Sequence, residues 1–258
     1  MIKPRFLYNN ILRGITPTWS GTAVAAKGPE NAVDWLDFTF FEADNGDLDF
    51  VMTEDTDIDS WSVYVATYTG TGDEKIELFY ESGAGVFSSL GAVDPVGGKL
   101  AYNEFTGVTV LSGRKIRLRV FSGTESLKIR QIVVGEVMEA EMGQYVSAVN
   151  PIFTQGVRMT NIISQNGSIL GRNIKRLERM SELSIEYLTE EWYRSTWEPF
   201  ARHATRLGFI YIQNYRDYPG ECAFSVAESM EQPKNSGNGN RKNVSWQLRN
   251  LVADELAV

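Results

Sequence analysis

At 258 residues the chain exceeds the usual size of one domain, and 43% hydrophobic with 22% charged residues is the balance of a packed globular protein, not a disordered one. Its formal net charge of -8 repels phosphate backbones, which argues against sequence-specific nucleic-acid binding, and its single cysteine, Cys222, rules out an internal disulfide. No apolar run approaches the roughly 18 residues that span a membrane as a helix.

The N-terminus, Met1-Ile2-Lys3-Pro4-Arg5 followed by Phe6-Leu7-Tyr8-Asn9-Asn10, lacks the apolar core of a secretory signal, so a soluble protein made in the cytoplasm is expected. Through residue 135 the pattern alternates as strands do. Candidates are Trp35–Phe41, Leu48–Met52, Trp61–Tyr68, Ile76–Tyr80 and Leu100–Phe105, separated by turn chemistry such as Asp44-Asn45-Gly46-Asp47. Lys115–Phe121 sets Ile116, Leu118 and Val120 against basic residues, and Ser126–Val134 continues the pattern, except that Ile132 breaks strict alternation. Such spacing predicts a β-sandwich or jelly roll over residues 1–135.

After Gly135 the composition shifts, and a second domain is expected over 136–258. Val157–Gln165 reads as a strand turning at Asn166-Gly167, and Ile169–Met180 with Leu183–Leu188 reads as a long ribbon having Leu183, Ile185 and Tyr187 on one face. Thr189 is placed as an N-cap ahead of Glu190-Glu191. Trp192, Trp197, Phe200, Ala204 and Leu207 recur at helical spacing, with Pro199 predicting a kink and Gly208 a C-terminal cap. Phe209–Tyr215, Glu221–Val226 and Asn243–Ala253 complete the strands. The polar, Gly-rich stretch 233–242 is expected to stay mobile until a partner orders it, with Lys234, Asn235, Asn238, Asn240, Arg241 and Lys242 as the contact residues.

The chemistry-bearing residues point away from catalysis. The only histidine, His203, falls on the helix with no triad or zinc pattern around it, and Cys222 alternates with Phe224 and Val226 as a small hydrophobe would. Between Glu42 and Asp59 eight acids crowd eighteen residues, a composition that suits calcium. Yet 55–60 lacks the glycine an EF-hand loop needs, so a solvated acidic edge is the expected reading. No nucleotide or iron–sulfur motif occurs, and no enzyme activity, cofactor or metal is expected. Trp19, in a Pro-Thr-Trp-Ser-Gly loop, and Trp61 are the candidate stacking platforms for a sugar.

Two resemblances follow from these residues. Gly28-Pro29-Glu30-Asn31-Ala32-Val33-Asp34-Trp35, with the closing pair Arg114–Phe121 and Ser126–Val134 ending at Gly135, resembles a galactose-binding-type jelly roll. The ribbon Ile169–Leu188, the helix from Glu190 to Leu207, the two strands after it and the loop before Asn243–Ala253 resemble a tail-tube-type module of long-tailed bacteriophages. That second resemblance implies a virion structural protein, located in the tail. It would be a distal-tail-like component of a hexameric ring, touching the tube, the hub or tape measure, fibres and a cell-surface saccharide. The alternative is a carbohydrate-binding module carrying an accessory β-domain.

Overall fold

The structure is a computed structural model that describes residues 3–21, 27–36, 39–66, 73–95, 100–123, 126–142, 152, 156–166, 168–178, 180–214, 217–218, 220–237 and 240–251. It is mainly β, with sandwiched sheets and one helical segment. A five-stranded antiparallel sheet runs in the order β2 (Thr18–Trp19), β4 (Gly46–Val51), β9 (Lys115–Phe121), β6 (Lys75–Gly83), β7 (Val86–Val93). It packs on a four-stranded sheet ordered β3 (Phe41–Ala43), β10 (Leu127–Gly135), β5 (Thr56–Val65), β8 (Leu100–Val110). Between them lies a core containing Leu48, Phe50, Trp61, Leu78, Ile116 and Leu118. Strand β9 shows why: its apolar residues point in, and Lys115, Arg117 and Arg119 point out.

A third sheet, of seven strands, contains β11 (Met138–Glu139), β1 (Arg5–Leu7), β15 (Phe209–Ile212), β16 (Cys222–Met230), β18 (Arg241–Leu251) and β14 (Met180–Thr189), with β17 (Lys234–Asn235) also on β18. The chain starts in this sheet, because Phe6 pairs with Tyr211 and with Met138, then leaves to build the sandwich and returns at residue 138.

The four-stranded sheet is therefore covered on both faces. Its second face meets β1, β15 and β16 through Leu7, Trp35, Tyr64, Val133, Ile210 and Phe224. Double coverage explains why Ile132 breaks alternation. A bulge between Ile129 and Gln131 shifts the register of β10 against β5. Ile129 before it and Ile132 after it both enter the first core, while Val133 enters the second. Asn10 pins the crossing, its amide donating to Ile132 O at 2.8 Å and accepting from Val134 N at 3.1 Å.

The other face of the seven-stranded sheet carries the helical segment through Trp197, Phe200 and Ala204, packed on Phe6, Phe209 and Trp246. α1 (Glu190–Trp192) is capped by Thr189 Oγ1, which accepts from Trp192 N, as expected. It runs through a π-type segment, Tyr193–Trp197, into α2 (Glu198–Ala204). Pro199 supplies the reason. It has no N–H to return to the carbonyl four residues back, and the Glu198 N–H reaches five residues back to Tyr193 O. Gly208 does not cap this helix; the cap residue is Thr205. Glycine is needed at 208 because a Cβ there would lie 2.3 Å from the Phe224 ring.

Three expectations change. Of the strand expected over 35–41, the described residues before Phe41 do not extend: Pro29–Ala32 is a short 3-10 turn, Trp35 adopts a left-handed φ of 65°, and the strand there is Phe41–Ala43. The strand β7 went unread because Ser88, Ser89 and Gly91 dilute its alternation. The ribbon expected over 169–188 is two strands in different sheets: β13 (Ile169–Glu178) pairs with β12 (Gly156–Ile163), and β14 pairs with β18.

Candidate functional site

Of the two tryptophans read as sugar platforms, Trp61 is wholly buried in the sandwich core and cannot meet a ligand. Burial on a doubly covered strand overrides its aromatic chemistry. Trp19 is half-buried on edge strand β2, opposite inward-facing Leu48. Its ring packs edge-on against Phe41 at 5.0 Å and lies so close to Gly21 and Gly46 that a Cβ at Gly46 would sit 2.7 Å from it. Its indole N–H points inward, away from solvent, and makes no hydrogen bond. Trp19 therefore closes the rim of the core and presents no donor outward.

Acids of this segment are neutralised by basic partners, and Arg117 bridges Asp47 and Asp49. Asp47 binds Arg119 (2.8 Å) and Asp49 binds Arg117 (2.6 Å) and Lys115 (3.1 Å), while Glu42 binds Lys27 and Ser126. Burial pushes the Asp49 carboxyl up, but the bonds from Arg117 and Lys115 outweigh it and hold the group below its usual range. The arginines in turn lie over aromatic rings, Arg117 4.0 Å from the Phe87 centroid and Arg119 5.0 Å from Phe79. Among the described residues no group of three or more acids, histidines or cysteines is placed to hold a metal ion.

His203 and Cys222 are packing residues. The imidazole lies between the rings of Tyr8 (5.3 Å) and Trp35 (5.4 Å), with Nε2 2.9 Å from Gly208 O. The Cys222 thiol is buried, donates to Leu100 O, and is pushed up by burial to about 12, far from a reactive thiolate.

The Gly-rich stretch is where polar groups converge. Lys234-Asn235 pairs antiparallel with Asn243 and Lys242, and Gly237 takes a left-handed φ of 41°. This fold-back leaves a cleft of about 510 Å³ lined by Glu190, Arg194, Asn235, Gly237, Asn240 and Lys242. Glu190 sits between two cations: Arg194 Nε at 2.7 Å and Lys242 Nζ at 3.1 Å. Those bonds, Arg194's first, hold its carboxyl below the usual range. Lys242 Nζ also donates to Asn235 Oδ1 at 2.8 Å, and the Glu190 N–H donates to Asn240 O at 3.2 Å. Of the six loop residues read from sequence, Asn235, Asn240 and Lys242 line the cleft. Arg241 lies beside it, Lys234 turns to Glu231 instead, and Asn238 lies outside the described residues.

Tyr187 differs from its expected place on the buried face with Leu183 and Ile185. It is 52% exposed. A bulge between Ile185 and Leu188 in the β14–β18 pairing reverses the alternation, so that Leu188 is buried and Tyr187 faces out. The apolar Leu188 immediately after Tyr187 was the available signal. The sequence marks Glu190 only as charge at the helix start and does not mark Arg194 at all, since nothing local shows that the later Gly-rich loop folds over them.

No family model matches this chain, and no curated protein matches its sequence. Solved structures similar to part of it include a CBM32-1 module of a family 31 glycoside hydrolase from Clostridium perfringens. It is 15% identical, with a TM-score of 0.42, and the match covers 50% of this chain and 98% of the module. A second Clostridium perfringens module, CpGH89CBM32-5, solved with GalNAc-β-1,3-galactose, is 11% identical over 49% of this chain and 99% of its own, with a TM-score of 0.41. The putative α-L-fucosidase of Bacteroides thetaiotaomicron is 18% identical over 50% of this chain and 28% of its own, at 0.41.

The second resemblance does not hold: none of these structures is a tail protein, and a distal-tail component, a hexameric ring and tail partners are without support. The structural features that carried the resemblance also change, since the long ribbon divides between two sheets. Among the described residues, no helix is long and apolar enough to cross a membrane.

Proposed function

We propose that this protein binds carbohydrate and does not transform it. The observation that carries the proposal is the polar cleft at the start of the helix. Sugar hydroxyls are both donors and acceptors, and they are matched by paired amides and charged groups held in fixed positions. Asn235, Asn240, Arg194, Lys242 and Glu190 supply that mixture within one concavity. Bonds among Glu190, Arg194, Lys242 and Asn235 fix those side chains before a ligand arrives, which lowers the ordering cost of binding. The same bonds argue against hydrolysis. Among the described residues Glu190 is the one carboxylate lining the cleft, and two cations favour its ionised form, whereas glycosidic cleavage employs a carboxyl pair with one member kept protonated.

Affinity electrophoresis and calorimetric titration of the full chain test this, with chitohexaose, cellohexaose and polygalacturonate as probes. Micromolar to millimolar binding of at least one is expected, and Arg194→Ala should weaken it about tenfold, the loss of one charge-assisted hydrogen bond. Absence of binding across all three probes, or binding untouched by Arg194→Ala, would sink the proposal.

A further inference from the structure

The cleft holds donors and acceptors, but its own donors already engage most of its acceptors. Glu190 Oε1 accepts from Arg194 Nε at 2.7 Å and also from Arg194 Nη2, and Glu190 Oε2 accepts from Lys242 Nζ at 3.1 Å. Asn235 Oδ1 accepts from Lys242 Nζ at 2.8 Å, and the Asn240 carbonyl accepts from the Glu190 N–H. What stays open is mostly N–H. Arg194 spends the Nε side of its guanidinium on Glu190, while the outer edge, Nη1 with the second proton of Nη2, has no partner among the described residues. That side chain is 70% exposed. The Asn235 amide nitrogen and one proton of Lys242 are open in the same way. The Asn240 amide, which both donates and accepts, is the exception. Two cations against one carboxylate leave the lining net positive.

We infer that the cleft selects a sugar bearing a ring carboxylate, a uronate, bound through the open edge of Arg194, with Asn235 and Lys242 giving further donors. The inference rests on the carbohydrate reading of the same site. An ionised carboxylate accepts and does not donate, and its two oxygens match the parallel N–H groups on an arginine edge. A neutral sugar, whose hydroxyls need acceptors as well, finds few of them unengaged. The chain's net charge of -8 does not prevent this, because ionic screening over about 8 Å leaves the nearest groups to decide.

Calorimetric titration of the full chain tests it, with hexagalacturonate, its methyl ester, chitohexaose and cellohexaose as probes. Hexagalacturonate should bind about tenfold or more tightly than its methyl ester, which keeps the shape and loses the charge. Arg194→Lys keeps a positive charge but gives up the planar edge, so it should erase most of that difference. Glu190→Gln keeps an acceptor for Lys242 and removes the negative charge that competes for both cations, so it should tighten hexagalacturonate about threefold. Equal binding of acid and ester, or tighter binding of chitohexaose or cellohexaose than of hexagalacturonate, overturns the inference but leaves the cleft as a carbohydrate site. A preference untouched by Arg194→Lys overturns it too. So does unchanged or weaker hexagalacturonate binding by Glu190→Gln, because Glu190 would then not be competing with the ligand. Failure of every probe removes the carbohydrate reading together with the inference.

Discussion

His203 shows what a lone titratable group does when the fold encloses it. Burial lowers its pKa below the ordinary 6.5, the bond to Gly208 O opposes that, and the nearby Arg13 charge adds to the lowering. The sign follows from linkage. The unfolded chain takes up a proton near pH 6.5, whereas the folded chain resists until lower pH. The His203 contribution is thus fully present above about pH 6.5 and is lost as pH falls toward the folded value. Urea unfolding at pH 8 and pH 5.5 should show wild type losing stability over this interval and His203→Gln losing less. The slope will be shallow because the ring is only partly buried. An equal loss in both proteins would assign the effect to other groups. The carboxylates of Asp49 and Glu42 do not confound the interval, since both are held below their ordinary values and titrate at lower pH. The residue type was readable from sequence and its packing role was too, but the neighbours were not: Tyr8 and Trp35 come from segments more than 160 residues away.

Among the elements, the helical segment is the one most completely written in its own residues. Thr189 sits at the cap, two glutamates follow, and Trp197, Phe200 and Ala204 form the buried stripe. Thr189 does more than cap. Its hydroxyl donates to Glu141 Oε1 at 2.8 Å while accepting from Trp192 N, which ties the helix start to the segment after β11. Thr189→Ala should cost about 1 kcal/mol or somewhat more, measured by denaturant unfolding. A change below about 0.3 kcal/mol would show that the cap is not stabilising. Phe200→Ala should cost more, about 3–5 kcal/mol, because the ring contacts Phe6, Phe209 and Trp246 with no exposure. Strands were less legible than the helix for a definite reason. Period-two reading assumes an unbroken ladder, and one extra residue reverses every side chain beyond it. That happened at Gln131 in β10 and again before Leu188 in β14, and the second reversal hid Tyr187. The cleft was half readable: composition marked the loop, but the residues it closes over are distant in sequence.

At the scale of the molecule, the layers stack as sheet, sheet, sheet and helix, with a core at each junction. The middle core has consequences for cooperativity. Sequence reading divided the chain near residue 136, yet the sandwich's inner sheet offers Tyr64 and Val133 to Phe224, Ile210 and Leu7 on the far side of that division. Tyr64 and Phe224 stack within 10° of parallel at 6.3 Å, and Arg5 bridges Glu104 of β8 and Glu139 of β11 at 2.6 and 2.9 Å. Because β1 belongs to the sheet of β15, β16, β18 and β14, that sheet is completed only when the loop around the whole sandwich closes. Thermal unfolding should therefore be a single transition by calorimetry and by tryptophan fluorescence, which reports from both parts through Trp61 and Trp246. Phe224→Ala should lower that one transition by about 3–5 kcal/mol, without splitting it, if the shared core couples the layers. Two separate transitions in the wild type, or a Phe224→Ala effect confined to one of them, would mean that the junction carries little free energy and that the sandwich stands by its own core alone.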